Sequence, residues 1–194
     1  VVRKRTPDEP LGTLLRMDER VRMVEYSEMP PSLARQTERD GSLRFWNGNI
    51  AVHVFRREFL QRAAELSLPF HAAYKCVPYV DERGSAVEPE SPNAVKLEQF
   101  IFDAFPLAER VKVVEVERSS YFAALKNRSG SPEDSPETVR AQLLALHRRW
   151  LAEAGFRPEP DTLVEISPLL AQDAAELRLR ASEGAVVHPH GYLR

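Results

Sequence analysis

Two carboxamides separated by one glycine, Asn47, Gly48 and Asn49, interrupt an apolar run over residues 43–55. Asparagine is a poor strand residue and glycine weakens a strand interior, so this element marks a point where the chain leaves a sheet. A carboxamide offers one acceptor and two donors, which suit the hydroxyl or amide groups of a small ligand. The glycine would let such a ligand approach the backbone closely. The same residues also fit an ordinary turn or bulge.

Charged side chains upstream and downstream could complete a ligand site. Glu25 lies in an apolar run between Val24 and Tyr26, and a carboxylate accepts hydrogen bonds from two vicinal hydroxyls of a sugar. Lys126 follows the apolar residues 122–125, and lysine supplies a point charge for phosphate. Each residue has an alternative interpretation, because Glu25 could face solvent from a strand and Lys126 could be an exposed lysine before a loop.

Other kinds of chemistry find no support in the sequence. The single cysteine, Cys76, permits neither an internal disulfide nor a cysteine-based metal cluster, and it fits a reducing compartment. The patterns H-E-x-x-H, G-x-S-x-G, G-x-G-x-x-G and G-x-x-x-x-G-K-[ST] are all absent. His188 and His190 have no third ligand nearby, so they indicate a loose tail rather than a metal site.

The composition indicates a folded chain of ordinary balance. Of its 194 residues, 43% are hydrophobic and 29% are charged, and a chain of this length can bury roughly 70% of its unfolded surface. The net charge of −2 argues against a general nucleic-acid binder. Since no apolar run approaches the ~20 residues of a transmembrane helix, we expect no membrane partner and a cytoplasmic protein. The oligomeric state is not predicted.

The elements that must position these side chains follow from the apolar pattern. Two apolar runs, residues 11–17 and 21–28, flank a polar segment and predict a β-hairpin. Ser135 followed by Pro136 predicts the start of a long helix, and Gly155 predicts its end. Further strands are predicted over residues 43–55, 70–80, 111–116 and 163–170, and further helices over residues 56–66 and 94–105. This order predicts a mixed α/β or α+β layer structure.

Several short motifs follow one another along the chain. They include V-E-Y-S-E at 24–28, N-G-N-I-A-V-H at 47–53, P-N-A-V-K-L-E-Q-F-I-F-D at 92–103, L-K-N at 125–127, D-S-P-E-T at 134–138 and E-I-S-P-L at 165–169. In this order and spacing, from about residue 10 to residue 170, they resemble the eukaryotic-type UDP-sugar pyrophosphorylases, and most closely UDP-N-acetylglucosamine pyrophosphorylase. Each motif is weak, but the set is specific.

The resemblance implies an α/β fold, namely the C-terminal half of a glycosyltransferase-A-like (Rossmann-related) mixed sheet followed by a small C-terminal α+β segment. Residues 1–128 would belong to the nucleotidyltransferase catalytic domain and residues 129–194 to a small C-terminal domain. The implied substrates are UTP and N-acetylglucosamine 1-phosphate, which give UDP-N-acetylglucosamine and pyrophosphate. The sugar phosphate attacks the α-phosphorus in line with the help of Mg²⁺, and such catalysis is mostly positioning and charge neutralisation.

The resemblance also implies roles for individual residues. Sugar contacts are expected from Gly12, Glu25 and Asn49, and aromatic walls beside the N-acetyl group from Phe100 and Phe102. Lys126 corresponds to the phosphate-binding lysine and is therefore the expected catalytic residue. Weaker candidates for supporting roles are His53 and Lys96.

The sequence departs from the family in one large respect. The family's glycine-rich loop, L-x-G-G-x-G-T-R-x-G, is absent, as are the uridine-binding segment and the aspartate expected to hold Mg²⁺, all of which would precede Val1. No metal ligand is therefore assigned in this chain. We expect the chain alone to carry the sugar half of a site and to be inactive, or nearly so. Two alternatives stay open: a non-catalytic module that binds a sugar phosphate or UDP-sugar, and a pyrophosphorylase for UDP-glucose or another UDP-sugar.

Overall fold

The computed structural model describes residues 1–157, 161, 163–181 and 190–193. Within them the chain forms two compact units, Val1–Glu115 and Val116–Arg194. Helices and strands occur in both, which confirms the predicted mixture of the two. The boundary expected after residue 128 refers to the domains of the family's enzymes and stays a prediction. His188 lies outside the described residues.

The first unit consists of short elements. Its strands are β1 (Val2–Arg3), β2 (Thr13–Met17), β3 (Arg20–Val24), β4 (Asn47–Gly48), β5 (His71–Lys75), β6 (Tyr79–Val80), β7 (Ala86–Val87) and β8 (Ala94–Glu98). Its helices are α1 (Pro31–Ala34), α2 (Arg57–Ala63) and a 3₁₀ helix, Ile101–Leu107. Among these residues the strands pair two by two and antiparallel: β1 with β4, β2 with β3, β5 with β8 and β6 with β7.

Strands β2 and β3 form the predicted hairpin. Thr13 pairs with Val24, and Met17 pairs with Arg20. The turn residues Asp18 and Glu19 have φ angles of 48° and 62°, a conformation that suits the twist of a two-residue hairpin loop. Met23 of β3 packs with Phe102 and Phe105 in a buried cluster, so the hairpin is fastened to the 3₁₀ helix by apolar packing.

The predicted helix over residues 94–105 is wrong. Residues 94–98 form β8, which pairs with β5 from His71 opposite Glu98 to Lys75 opposite Ala94. The apolar positions Val95 and Leu97 alternate with the charged Lys96 and Glu98, which is the period of a strand. Pro106 does not end a helix but lies inside the 3₁₀ helix that follows.

Two predicted strands are also corrected. Between residues 43 and 55 only β4 joins a ladder, opposite β1, because the polar Asn-Gly-Asn element turns the chain away at once. Ala51 there has a φ of 57°, which no strand residue adopts. Residues 111–116 form no strand. Val113 and Val114 are exposed rather than buried, so their β-branched pattern alone was a poor guide.

The second unit contains α3 (Arg118–Tyr121), α4 (Pro136–Glu153), β9 (Leu163–Ile166), α5 (Ala174–Ala181) and β10 (His190–Leu193). Helix α4 begins as predicted, with Ser135 and Thr138 forming a reciprocal capping box, and Gly155 follows it at a φ of 100°. β9 occupies the first part of the predicted strand and pairs with β10 in parallel. The core of the unit is formed by Leu151, Val164, Ile166, Ala171 and Leu177.

Candidate functional site

Gly12 and Glu25 face each other at the open end of the hairpin. They occupy the positions next to the Thr13–Val24 pair, and Gly12 is buried while Glu25 is half-buried. A Cβ atom on Gly12 would lie 2.9 Å from Glu25 Oε1 and 2.9 Å from Met23 Sδ. A side chain at position 12 would therefore have to displace the Glu25 carboxylate and the Met23 thioether, which lie near the ends of flexible side chains.

Asn49 joins this pair through its backbone. Its N–H donates to the carbonyl of Gly12 at 2.8 Å. Its Oδ1 accepts from the N–H of Ala51 at 3.0 Å and lies 3.1 Å from His53 Nε2. Since Oδ1 is engaged within the loop, the two Nδ2 protons are the part of this side chain that can meet a ligand. The structure therefore brings together Gly12, Glu25 and Asn49, the three residues expected to contact a sugar.

Asn47 and Gly48 have structural roles. The Asn47 side chain accepts from the N–H of Leu14 at 2.8 Å and donates to its carbonyl at 3.1 Å, like one more residue of the hairpin ladder. A Cβ on Gly48 would lie only 2.6 Å from Leu11 Cδ1. The space beside Gly48 is filled by Leu11, so the interpretation of this glycine as an opening for a ligand is wrong.

Phe100 and Phe102 form a stacked pair. Their ring centroids are 4.6 Å apart, with an interplanar angle of 15°. Phe102 is buried with Met23, and Phe100 is partly exposed against the same cluster. Met23 Sδ is also one of the two atoms that fill the space beside Gly12. One apolar cluster therefore supports both the aromatic pair and the carboxylate of Glu25.

Lys126 belongs to the second unit, where it is exposed. Its N–H and that of Asn127 both donate to the carbonyl of Asp134, at 2.8 and 2.9 Å. Asn127 Nδ2 also donates to the carbonyl of Glu133 at 2.9 Å. These bonds fold the loop before α4 so that Lys126 has a defined backbone position. Its role in phosphate binding stays a prediction.

Two residues of the first unit were missed by the sequence reasoning. His71, at the start of β5, lies between Glu28 and Asp103, with contacts of 2.7 and 3.0 Å. Lys4 lies near Glu25: burial lowers its pKa, against the opposing charges of Glu9 and Glu25. No motif includes either residue, and Glu25 and both partners of His71 are distant in sequence, so only folding could disclose these contacts.

His53 lies beside Asn49 and packs against an aromatic ring. The ring of His53 meets Phe105 edge-on, with ring centroids 5.2 Å apart. Burial lowers the pKa of His53, which suits a neutral ring that supports Asn49.

Among the described residues, no group of three histidine, cysteine, aspartate or glutamate side chains could hold a metal ion. The described helices also include none long and apolar enough to cross a membrane.

A half-buried carboxylate and a carboxamide beside stacked aromatic rings are the ingredients of a carbohydrate-binding site. The chain belongs to the family described as UTP–glucose-1-phosphate uridylyltransferase, which matches residues 1–173. It is 40% identical over 200 residues to human UDP-N-acetylhexosamine pyrophosphorylase-like protein 1, a match that covers 92% of this chain and 39% of the relative. It is 38% identical over 176 residues to UDP-N-acetylglucosamine pyrophosphorylase of Saccharomyces cerevisiae, covering 88% of this chain and 37% of the relative.

Solved structures agree with this family membership. A crystal structure assigned as UDP-N-acetylglucosamine pyrophosphorylase of Entamoeba histolytica matches with a TM-score of 0.81 and 31% identity, over 100% of this chain and 48% of the other. The enzyme of the same name from Trypanosoma brucei, solved with an inhibitor, matches with a TM-score of 0.72 and 26% identity, over 100% of this chain and 42% of the other. The chain thus spans about two fifths of the length of the curated relatives it matches.

Proposed function

We propose that this chain provides the sugar-binding part of a uridylyltransferase, which forms UDP-N-acetylglucosamine and pyrophosphate from UTP and N-acetylglucosamine 1-phosphate. Its family membership and the names of its relatives support this reaction. The observation that carries the proposal is the convergence of Gly12, Glu25 and Asn49. The likeness to the two crystal structures supports the finer proposal that the fold is part of a glycosyltransferase-A-like domain.

Each residue of the cluster has a task in this proposal. The carboxylate of Glu25 accepts hydrogen bonds from sugar hydroxyls, and such charge-assisted bonds are stronger than neutral ones. Asn49 donates to a hydroxyl or to the acyl oxygen through Nδ2. Gly12 leaves room for the Glu25 carboxylate itself, because a Cβ atom at this position would lie 2.9 Å from Glu25 Oε1. These contacts orient the sugar so that its 1-phosphate can attack in line, which lowers the barrier through positioning.

Phe100 and Phe102 form the apolar wall beside the N-acetyl methyl group in this proposal. The partly exposed ring of Phe100 is stacked on the buried ring of Phe102, and the buried cluster holds both. A methyl group against such a wall contributes on the order of 1 kcal/mol through burial. This wall would favour N-acetylglucosamine over glucose, in agreement with the names of the relatives rather than with the glucose named in the family description.

Lys126 is proposed as the residue that neutralises phosphate charge, on the strength of the L-K-N motif and the fixed loop that carries it. The described residues do not fit a site for Mg²⁺. No step of the mechanism is therefore assigned to a metal within this chain, and the reaction as a whole is not expected from this chain alone.

Binding therefore tests the proposal more directly than turnover. Isothermal titration calorimetry of this chain should detect UDP-N-acetylglucosamine, and Glu25→Gln should weaken that binding by about tenfold or more, since a hydrogen bond to a charged group contributes ~1.5–3 kcal/mol. Gly12→Ala should weaken it as well, because its Cβ forces the Glu25 carboxylate aside. UDP-glucose should bind more weakly than UDP-N-acetylglucosamine.

A matched control is Glu19→Gln, the same substitution at the turn of the same hairpin, where Glu19 pairs with Arg16 in solvent. It should leave binding unchanged. If Glu25→Gln binds as well as the Glu19→Gln control, Glu25 is not a sugar ligand. If Lys126→Ala binds UDP-N-acetylglucosamine as tightly as the unmodified chain, the phosphate role of Lys126 is wrong.

A further inference from the structure

His71 connects three segments of the first unit. It is the first residue of β5, and its ring contacts Glu28, in the turn after the hairpin, and Asp103, in the 3₁₀ helix. Nδ1 lies 2.7 Å from Glu28 Oε1, and Nε2 lies 3.0 Å from Asp103 Oδ2. The side chains of His71 and Asp103 are only 20% and 14% exposed, so their contact is largely withdrawn from solvent, whereas Glu28 is 47% exposed.

The arrangement favours a charged imidazolium. Ionised carboxylates only accept hydrogen bonds, so both ring nitrogens must donate, and this requires a proton on each. The hydrogen bond to Glu28 raises the pKa of His71, against a smaller effect of burial, and Asp103 adds to the rise. The cross-strand neighbour Glu98 is a third carboxylate on this side of the ribbon, and it pairs with Lys96 at 2.8 Å.

Both partners of His71 belong to segments that carry proposed sugar contacts. Glu28 lies in the same turn as Glu25, whose carbonyl accepts the N–H of Glu28 at 3.0 Å. Asp103 follows Phe102 directly, and its N–H donates to the carbonyl of Phe100 at 3.1 Å. The imidazole ring also packs against Phe100, with centroids 5.1 Å apart.

We propose that His71 is a positioning residue for the sugar site: its imidazolium links the turn that carries Glu25 to residues 100–107, the segment that carries Phe100 and Phe102. Glu28 and Asp103 are the two anchors of this tie. The inference rests on the proposed function, since it assigns His71 to the sugar-binding part of that site. When His71 loses one ring proton, it can no longer donate to both Glu28 and Asp103. One of the two hydrogen bonds is then lost, and the Glu25 carboxylate is no longer held at a fixed position relative to Phe100 and Phe102.

The first experiment tests the tie without any ligand. In NMR spectra of this chain, the His71 ring should titrate above the ordinary histidine pKa of 6.5, and the ring signals of Phe100 and Phe102 should shift with the same midpoint. Glu28→Gln and Asp103→Asn preserve size and remove one acceptor charge each, so each should lower that pKa. A phenylalanine pair that does not respond when His71 titrates would overturn the proposal.

The second experiment tests the consequence for sugar binding. UDP-N-acetylglucosamine is the suitable probe, because its diphosphate has no group that titrates between about pH 6 and pH 8.5, whereas a sugar 1-phosphate does. Binding should weaken by about threefold to tenfold as pH rises through the pKa of His71, a coupling of ordinary size. His71→Gln should bind weakly at every pH, without this slope. Uridine 5′-diphosphate carrying a methyl ester on its terminal phosphate should show no such pH slope, because it lacks the sugar and the ester removes the phosphate ionisation at about pH 6.

Asp8→Asn is the matched control, since it breaks an exposed pair with Arg35 in the same unit and should leave both readouts unchanged. Sugar binding that is independent of pH and equal in His71→Gln would overturn the proposal. If the unmodified chain bound no UDP-N-acetylglucosamine at any pH, the proposed function would fail, while the NMR titration would still decide whether His71 ties the two segments.

Discussion

A histidine in each unit is hydrogen-bonded to residues distant in sequence, His71 in the first unit and His147 in the second, and the two have opposite charge preferences. In the first unit His71 lies between two carboxylates, which raise its pKa. In the second unit His147 is buried on α4, and its Nδ1 accepts the N–H of Ile166 at 3.3 Å. Burial lowers the pKa of His147, although a backbone hydrogen bond with Val164 and the charge of Glu165 oppose it.

The difference shows that the groups around a histidine ring decide whether the ring is charged or neutral. Two acceptors around His71 require two ring protons and hence a cation, whereas a donor at Nδ1 of His147 requires a lone pair there and hence a neutral ring. The first arrangement suits a site that must hold charged segments in place for a polar ligand. The second suits an apolar core, in which a charge would be costly.

The largest expected effect comes from the core around His147. Leu151 is fully buried one turn further along α4, so Leu151→Ala should lower the free energy of unfolding by about 2–5 kcal/mol. Urea unfolding followed by the fluorescence of Trp150, in a Trp46→Phe background, measures this. Leu143→Ala on the same helix is the control, because Leu143 is 47% exposed, and it should cost less than about 1 kcal/mol. Equal losses for the two variants would show that this core does not stabilise the unit.

An intermediate effect is expected from His147 itself. His147→Leu leaves the buried N–H of Ile166 without its acceptor and should cost about 1–3 kcal/mol. The pKa of His147 is lowered in the folded state, so the unfolded state binds more protons. The contribution of His147 to the free energy of unfolding is therefore fully present above its ordinary pKa of 6.5 and is lost as pH falls below that value. His147→Gln retains an acceptor and cannot titrate, so its unfolding midpoint should vary less between about pH 7 and pH 5.5 than that of the unmodified chain. An equal pH slope in both would contradict the assignment of His147 as a neutral acceptor.

A smaller effect, of opposite sign in pH, is expected from His71. The pKa of His71 is raised in the folded state. Its contribution to the free energy of unfolding is therefore fully present below pH 6.5 and is lost as pH rises through the raised pKa. His71→Gln should cost on the order of 1 kcal/mol on the acid side, because Glu28 is partly solvated, and the deficit should shrink at alkaline pH. Trp46 fluorescence in a Trp150→Phe background reports on the first unit. A deficit that grows with pH would reverse the charge assigned to His71.

Local sequence predicted the elements whose signals lie within a few residues. The N-cap at Ser135 and the glycine after α4 depend only on residues next to them in the sequence, and both are confirmed. The hairpin is confirmed because its turn and its two apolar runs are adjacent along the chain. The prediction of a helix over residues 94–105 was wrong because the apolar residues there fit both helical and strand spacing. Pairing with β5, about twenty residues earlier in the chain, stabilises residues 94–98 as a strand.

The sequence by itself determined the family, through short motifs in a fixed order, and it determined which residue types could meet a sugar. Only the tertiary structure decided which of them meet: Gly12, Glu25 and Asn49 converge, whereas Asn47 serves the hairpin and Gly48 packs against Leu11. It also disclosed His71, whose partners lie 43 and 32 residues away. The physical reason is that a residue's chemistry is local, but its charge state and its partners are set by groups that folding brings from elsewhere in the chain.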